Sequence, residues 1–408
     1  MDLESAPRIY EHDASILADL ATELPLSITL LRRIQHGLAY PSPTAKILST
    51  FPPGAPAPST PWLAARVDLF RGRETQIVLY SSLENSHSKI QPVSPSSSPK
   101  PAGPSTSASG PAPHHHDYLV ATLDVPQSTK DLARDQLLAL LSYVKTHLRP
   151  AYLTFLAAQP PALQAAQAGV ALIPAPDPRA FLLGSLHTGL YSLLLLSGEF
   201  APSPSSEESQ AALPGIKVHR VDNPPYEKYF FPRTCFTPRE DGEASGSVPL
   251  PAGYRYADRR GRVGVLAEHL DLVQSRTHIP RSREQLSMMP GVAVYKDVDG
   301  DGEEEELPIA WAFLGLDGPL ATLHVEPEHR GKGLALALSR ETMRRGMNAE
   351  GPFGAVRSGI VDERVARLVG DWVHTEVAAY NKASKRVMEK IGGEVRSTVM
   401  WTVIELLD

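Results

Sequence analysis

The stretch Arg330-Gly331-Lys332-Gly333-Leu334-Ala335 constrains this chain more than any other. It separates a strand-like run, Leu320 to Val325, from a helix-like run, Leu334 to Met347. Glycines let a backbone approach a ligand with no Cβ in the way, and a helix starts with unpaired N–H groups at the positive end of its dipole. Strand, basic glycine turn and helix together make a place to hold a diphosphate. A P-loop is excluded because Leu334 follows Gly333 and no hydroxyl is placed for magnesium. A dinucleotide fingerprint fails at Leu336, where its third glycine belongs. The pattern that remains is [Gln/Arg]-x-x-Gly-x-[Gly/Ala], met by Arg330, Gly333 and Ala335. A bland alternative also stands, since basic glycine turns can simply start helices.

With 408 residues the chain has room for two domains, and 42% hydrophobic residues suffice for ordinary cores. A net charge of −6 gives no bulk basic field, so neither nucleic acid nor a membrane is an expected partner. The first residues carry no apolar or Arg-rich address, and the longest apolar run, Leu190 to Leu196, is far too short to span a bilayer. A cytoplasmic or nuclear location is the expectation. Cys235 is the single cysteine, which excludes a disulfide within the chain and argues against a Cys-based metal site. No metal is expected. Nothing in the sequence fixes an oligomeric state.

Residues 91–117 are rich in Pro, Ser and Ala, end in His114-His115-His116, and read as a disordered insert. Polar breaks follow at Pro202 to Gln210 and at Thr237 to Ser247, the second taken as the domain boundary. An N-terminal α/β domain, 1–236, and a second domain, 248–408, are therefore expected. In the first, Trp62 to Phe70 and Thr75 to Tyr80 read as a hairpin, Tyr118 to Val125 as a strand and Asp131 to His147 as a helix. His187 to Leu196 is buried strand or helix; periodicity leaves both open. The second domain reads strand–helix–helix–three strands–helix–strand–helix–strand, an α+β order with a mostly antiparallel sheet. Asp297, Asp299, Asp301 and Gly302 match the start of an EF-hand loop, but its twelfth position is Pro308, so the run reads as a solvated acidic hairpin.

The hexapeptide resembles the coenzyme A pyrophosphate loop of the GCN-five-related N-acetyltransferase (GNAT) superfamily. Its lead-in, Leu323-His324-Val325-Glu326-Pro327-Glu328-His329, is similar to the run that closes that superfamily's fourth strand. Val377 to Gly393 resembles its second block. There Asn381 is placed to cap a helix, Ala383, Val387 and Ile391 form a stripe, and Gly392 stops it. The resemblance covers roughly residues 250 to 408. The first domain looks like a worn copy of the same fold, so a tandem of two halves is the further expectation, as in proteins related to glycine N-acyltransferase.

The resemblance implies a splayed sheet flanked by helices, and acetyl-CoA or another acyl-CoA as co-substrate. It implies pairing of pantetheine amides with the backbone of Leu323, His324 and Val325, and an oxyanion-stabilising N–H near Leu323. It implies phosphate contacts at Arg330, Gly331, Lys332, Gly333, Leu334 and Ala335, and further contacts at Asn381 and Ser384. The family's usual base position falls on Pro319, eleven residues before Arg330, and its usual acid position on Met388. The replacements nominated are His324 as base and Tyr380 as acid, with Glu326, Glu328 and His374 behind them. Strict alternation puts His324 on the sheet face opposite Ala321 and Leu323 unless a bulge intervenes. The expected reaction is acyl transfer to a small amine or amino acid, favoured by the acidic loop and by the lack of a peptide-reading signature. The alternatives are a protein or peptide N-acetyltransferase and a non-catalytic coenzyme A-binding scaffold.

Overall fold

The computed structural model describes residues 7–71, 74–93, 118–158, 179–200, 212–236, 247–277, 279, 281–297, 306–348, 351–353 and 363–408. Most of the expected insert, including the His triplet, lies outside the described residues, as do the break at 202–210, most of the boundary segment and most of the acidic loop.

The first half runs β1 (Tyr10–His12), α1 (Leu17–Thr22), α2 (Ile28–Ala39), β2 (Lys46–Ser49), β3 (Leu63–Val67), β4 (Ile77–Ser81) and α3 (Leu83–His87). It continues with the hairpin β5 (Ser88–Val93) and β6 (Tyr118–Leu123), then α4 (Gln127–Tyr143), α5 (Arg149–Ala158), β7 (Ala180–His187), α6 (Thr188–Ser192), β8 (Ile216–Val221) and β9 (Tyr226–Pro232). The second half runs β10 (Tyr254–Arg255), α7 (Leu270–Arg276), α8 (Arg283–Ser287), β11 (Gly291–Lys296), β12 (Ala310–Leu314) and β13 (Leu320–Val325). It ends with α9 (Leu334–Met347), α10 (Glu363–Gly370), β14 (Trp372–Ala378), α11 (Lys382–Ile391) and β15 (Glu394–Leu406). The fold is α+β with mostly antiparallel sheet, and helix α10 is the one element of this half that the sequence reading did not anticipate.

The two halves exchange strands. Strand β9 precedes the boundary segment, yet it pairs along its whole length with β14, from Trp372↔Pro232 to Ala378↔Tyr226. Strand β15 begins beside β9 and then crosses into the first half, between β7 and β8. Nine strands thereby form one sheet, while β10–β13 form a separate four-stranded one. Three large cores follow. One lies under α4 and β7, a second joins α1 and α2 to Phe230 and Val369, and a third packs α9 and α11 on β11–β14.

Three local expectations change. Gln91, Pro92 and Val93, assigned to the disordered insert, extend β5, because their backbone groups pair with Tyr118, Leu119 and Val120. The strand expected from Gly253 to Asp258 is only two residues long, since Asp258 Oδ1 accepts the Arg260 and Arg262 N–H groups and turns the chain. On α11 the buried residues are Met388 and Ile391, whereas Ala383 is exposed. The apolar stripe is therefore rotated from the one anticipated, and Met388 forms its centre. The ambiguous segment resolves into both states: β7 ends at His187 and α6 starts at Thr188.

Candidate active site

Strands β13 and β14 meet at one point and then part. Pro319 and His374 form a single parallel bridge, Thr375 Oγ1 donates to the Leu320 carbonyl at 2.8 Å, and His374 Nε2 donates to the Asp317 carbonyl at 3.0 Å. Beyond that base each strand is the terminal strand of a different sheet. Edge strands carry a row of unpaired backbone groups, which folds normally hide. Here two such edges face one another across a wedge, and an extended ligand with amides of its own can add as a strand.

A β-bulge shapes the near wall. Trp311 lies opposite His324 and Phe313 opposite Ala321, so β13 has one extra residue, and Thr322 adopts φ +53°. The extra residue resets the alternation. Ala321 packs with Trp311 and Phe313, and the His324 ring stacks on Trp311 at 4.6 Å, while Leu323 and Val325 face α9. His324 is therefore on the same face as Ala321 and opposite Leu323, which corrects the expectation from strict period two.

At the open end of the wedge the chain forms the glycine turn. Gly331 has φ +77° and Gly333 φ +84°, a left-handed geometry that L side chains resist. Arg330, Gly331, Lys332 and Gly333 are exposed, while Leu334 is buried and anchors α9. The first helical bonds run from the Leu336 and Ala337 N–H groups to the Gly333 carbonyl. The preceding N–H groups are thus left at the positive helix end, next to two cationic side chains, which is a fitting cradle for a diphosphate. Arg330 Nε donates to the Val325 carbonyl at 2.9 Å, tying the turn to the end of β13.

Asn381 and Ser384 sit where β14 gives way to α11. Asn381 Oδ1 accepts the Ser384 N–H at 3.1 Å, the expected N-cap, and Asn381 is exposed. Gly392 ends the helix at φ +101°, with the Gly393 N–H bonded to the Met388 carbonyl. Tyr380, at the same junction, is 68% exposed.

The titratable groups divide by wall. On β13, His324 Nε2 lies 3.4 Å from Glu326 Oε2. Burial lowers the His324 pKa and the neighbouring Glu326 opposes that shift. Burial pushes Glu326 up, but the Arg276 guanidinium at 3.0 Å and His324 outweigh it and hold the carboxyl below its ordinary range. Glu328 is exposed. On β14, His374 is fully buried, and burial followed by Lys228 keeps it neutral and far below its usual pKa. Pro319 forms the base of the wedge and Met388 lies inside the core, so neither carries a proton. Among the described residues no group of three or more His, Cys, Asp or Glu side chains is placed to hold a metal ion.

One polar cluster escaped the sequence reading. Glu376 on β14 accepts the Ser185 hydroxyl of β7 at 2.5 Å and lies 3.5 Å from Lys228 Nζ of β9, which also donates to Ser185 at 3.2 Å and to Thr29. All four are buried or nearly so. Only the strand exchange brings them together, and no local pattern announces it.

Residues 6–229 match the family described as the acyl-CoA N-acyltransferase verG N-terminal domain. No curated protein matches the sequence. Among solved structures, a Drosophila protein is similar at 11% identity and TM-score 0.44, with 98% of each chain covered. A tandem GNAT protein from the clavulanic acid biosynthesis pathway is similar at 12% identity and TM-score 0.35, with 97% of each chain covered. A GCN5-related N-acetyltransferase from Kribbella flavida is similar at 15% identity and TM-score 0.25, covering 47% of this chain and 60% of its own. The family match spans more than half of the sequence, and the chain belongs to the verG family of acyl-CoA N-acyltransferases, within the GNAT superfamily.

Proposed function

We propose that this chain transfers an acyl group, acetyl in the first instance, from coenzyme A to a small amine or amino acid. Residues 248–408 would carry the reaction and residues 1–236 would bind no coenzyme. The observation that supports this reading best is the wedge, which opens from a single bridge and leads to an exposed glycine turn.

In this reading the backbone of Leu323, His324 and Val325 pairs with the pantetheine arm. The N–H groups from Arg330 through Ala335 hold the pyrophosphate, with the Arg330 and Lys332 side chains adding charge. Asn381 and Ser384 bound the arm from the other wall. The amine nitrogen attacks the thioester carbon in a ternary complex, the new C–N bond forms and the C–S bond breaks. A backbone N–H near Leu323 stabilises the oxyanion, and positioning supplies much of the acceleration. His324, neutral because burial favours its uncharged form, takes the proton that the nitrogen loses, and Glu326 stabilises the resulting cation. Tyr380, at the wedge mouth, returns a proton to the departing thiolate. The reaction takes place in the cytoplasm or nucleus.

Pro319 and Met388, at the family's base and acid positions, favour a second reading, a coenzyme A-binding scaffold. Release of free thiol from a panel of acyl-CoAs with amines, amino acids and peptides distinguishes them. Thiol release with small amines supports the transferase, release confined to peptides moves the acceptor class, and coenzyme binding without release across the panel leaves the scaffold.

A further inference from the structure

The β5–β6 hairpin reaches over to the start of α11, where Tyr118 and Val120 pack on Ala379, two residues before Asn381. Between the hairpin and α11 lies a cavity of about 330 Å³. Tyr118 and Leu119 of β6, Glu227 and Tyr229 of β9, and Lys385 and Glu389 of α11 line it. That volume is near the small end for ligand sites. Three separate segments of the chain converge on it, and the cavity exists only because β9 is inserted beside β14.

The charges of the lining are not equal. Glu227 is 1% exposed and fully partnered: Oε1 accepts Lys385 Nζ at 2.5 Å and Oε2 accepts the Tyr229 hydroxyl at 3.0 Å. Burial, followed by Glu227, pushes the Tyr229 pKa up, so that hydroxyl keeps its proton and donates it. Apolar side chains often replace a buried ion pair at no cost in stability, so packing α11 on β9 does not by itself call for one. Glu389 differs. It lies one turn along α11 from Lys385, on the same side of the helix, and is exposed. Its carboxylate has no hydrogen bond or ion pair among the described residues. Because Lys385 is committed to Glu227, the three charged side chains leave one net negative charge on the cavity.

We propose that this cavity binds a small organic cation, a primary ammonium carried on an apolar, preferably aromatic, body. Glu389 supplies the unpaired charge for the ammonium, and the two tyrosine rings add the attraction of an aromatic surface for a cation. Leu119 and Val395 give the body an apolar wall. An anionic ligand is disfavoured, because it would meet Glu227 and Glu389 while the lining's one cation is already paired. The cavity is separate from the wedge. Strand β9 lies one strand beyond β14, which itself forms the far wall of the wedge. The site is therefore distinct from the acceptor position of the proposed reaction and does not depend on that reading.

The test is thermal unfolding of the full chain in about 5 mM 2-phenylethylammonium chloride, against sodium 3-phenylpropanoate and sodium chloride at equal ionic strength. The ammonium salt is expected to raise the wild-type melting temperature by at least about 2 °C over sodium chloride, and the carboxylate to leave it unchanged. Glu389→Gln is expected to melt with the wild type in sodium chloride, since its carboxylate has no partner to lose, and to forfeit the gain. Leu119→Trp, which brings a larger side chain to the cavity, is expected to forfeit the gain relative to its own melting point in sodium chloride. No gain with the ammonium salt, an equal gain with the carboxylate, or a gain kept in either variant would overturn the proposal. A kept gain would put the cation elsewhere, the wedge included. A Glu389→Gln that melts lower in sodium chloride would overturn it too, by showing that the carboxylate already has a partner. No acyl transfer is measured, so failure here leaves the transferase reading standing, and absence of turnover leaves the melting result decisive for the cavity.

Discussion

The two halves repeat one device and finish it differently. In each, two parallel strands touch briefly beside a bulge that holds a hydroxyl residue at positive φ: Thr322 at +53° in the second half and Ser185 at +52° in the first. In the second half the strands part at once and the wedge stays open. In the first half β4 and β7 meet at Ile77↔Leu183, and Gln76 stitches them further, its N–H donating to the Leu182 carbonyl and its Oε1 accepting the Leu182 N–H. The second half follows its first wedge strand with an exposed glycine turn, whereas the first half follows β4 with Ser82, α3 and the β5–β6 hairpin. Ser185 is spent on Glu376 of the other half, while Thr322 Oγ1 is buried without a partner. The polar groups beside the first half's strand pair thus serve as glue between the halves.

That glue yields the largest expected effect. Lys228 donates to Thr29 and Ser185 beside Glu376, all at the join. Lys228→Ala leaves a buried carboxylate without its cation, and chemical denaturation should show a loss of about 3 kcal/mol or more. A change below about 1 kcal/mol would mean the exchanged strands alone hold the halves together.

The glycine turn comes next. Gly333→Val forces a β-branched residue to φ +84° at the entrance of α9. Coenzyme A affinity by calorimetry should fall about 100-fold, some 2.7 kcal/mol. Ser82→Val, at the N-cap of α3, the helix that follows β4 in the first half, should leave it unchanged. Equal losses would mean both halves hold the ligand.

The first half also carries a buried carboxyl whose titration bears on stability. Glu84 is 6% exposed, accepts the Ser81 N–H at 3.0 Å, and is pushed up to about 8 by burial against the pull of that bond and of Lys228. Folded Glu84 holds its proton at pH values where the unfolded chain has released it. Its contribution is complete below the ordinary glutamate pKa and disappears as pH rises toward 8, at about 1.4 kcal/mol per pH unit. Glu84→Gln keeps the acceptor oxygen and removes the titration. Urea melts at pH 5.5 and 8 should therefore show the variant gaining on the wild type as pH rises, and parallel curves would place the carboxyl in contact with water.

A smaller effect belongs to His324. His324→Ala should cut turnover at least about tenfold, near 1.4 kcal/mol, with coenzyme affinity retained. Unchanged turnover would leave proton transfer to another group of the wedge.

What was legible in the sequence follows the same division. Runs with strong local signals were read nearly to the residue: Leu320 to Val325, Leu334 to Met347, and the helix capped by Asn381 and stopped by Gly392. Their patterning, caps and turn glycines act within a few residues. Illegible was anything set by distant pairing. Insertion of β9 beside β14 and the passage of β15 into the first half depend on contacts between residues far apart in the chain, and with them came the Glu376 cluster. The face of His324, which the sequence left conditional on a bulge, was undecided for a different reason. A one-residue bulge at a threonine, without a glycine to mark it, inverts every side chain that follows.

That bulge offers the finest comparison between the halves. A non-glycine residue at positive φ stores about 1 kcal/mol of strain, which glycine relieves. At Thr322 the hydroxyl has no hydrogen-bond partner, so Thr322→Gly removes strain and an orphaned buried oxygen together. Against this stands the greater freedom of glycine in the unfolded chain, so stability should hold or rise by up to about 1 kcal/mol. At Ser185 the same replacement deletes the donor to Glu376 and the acceptor for Lys228. Leaving both buried partners short costs about 1 to 3 kcal/mol, more than the strain it releases, so Ser185→Gly should destabilise. The two variants, melted side by side, are expected to move in opposite directions or to leave Thr322→Gly level while Ser185→Gly falls. If both rise together, strain rather than hydrogen bonding governs the two bulges, and the first half's hydroxyl has no greater part in joining the halves than the second's.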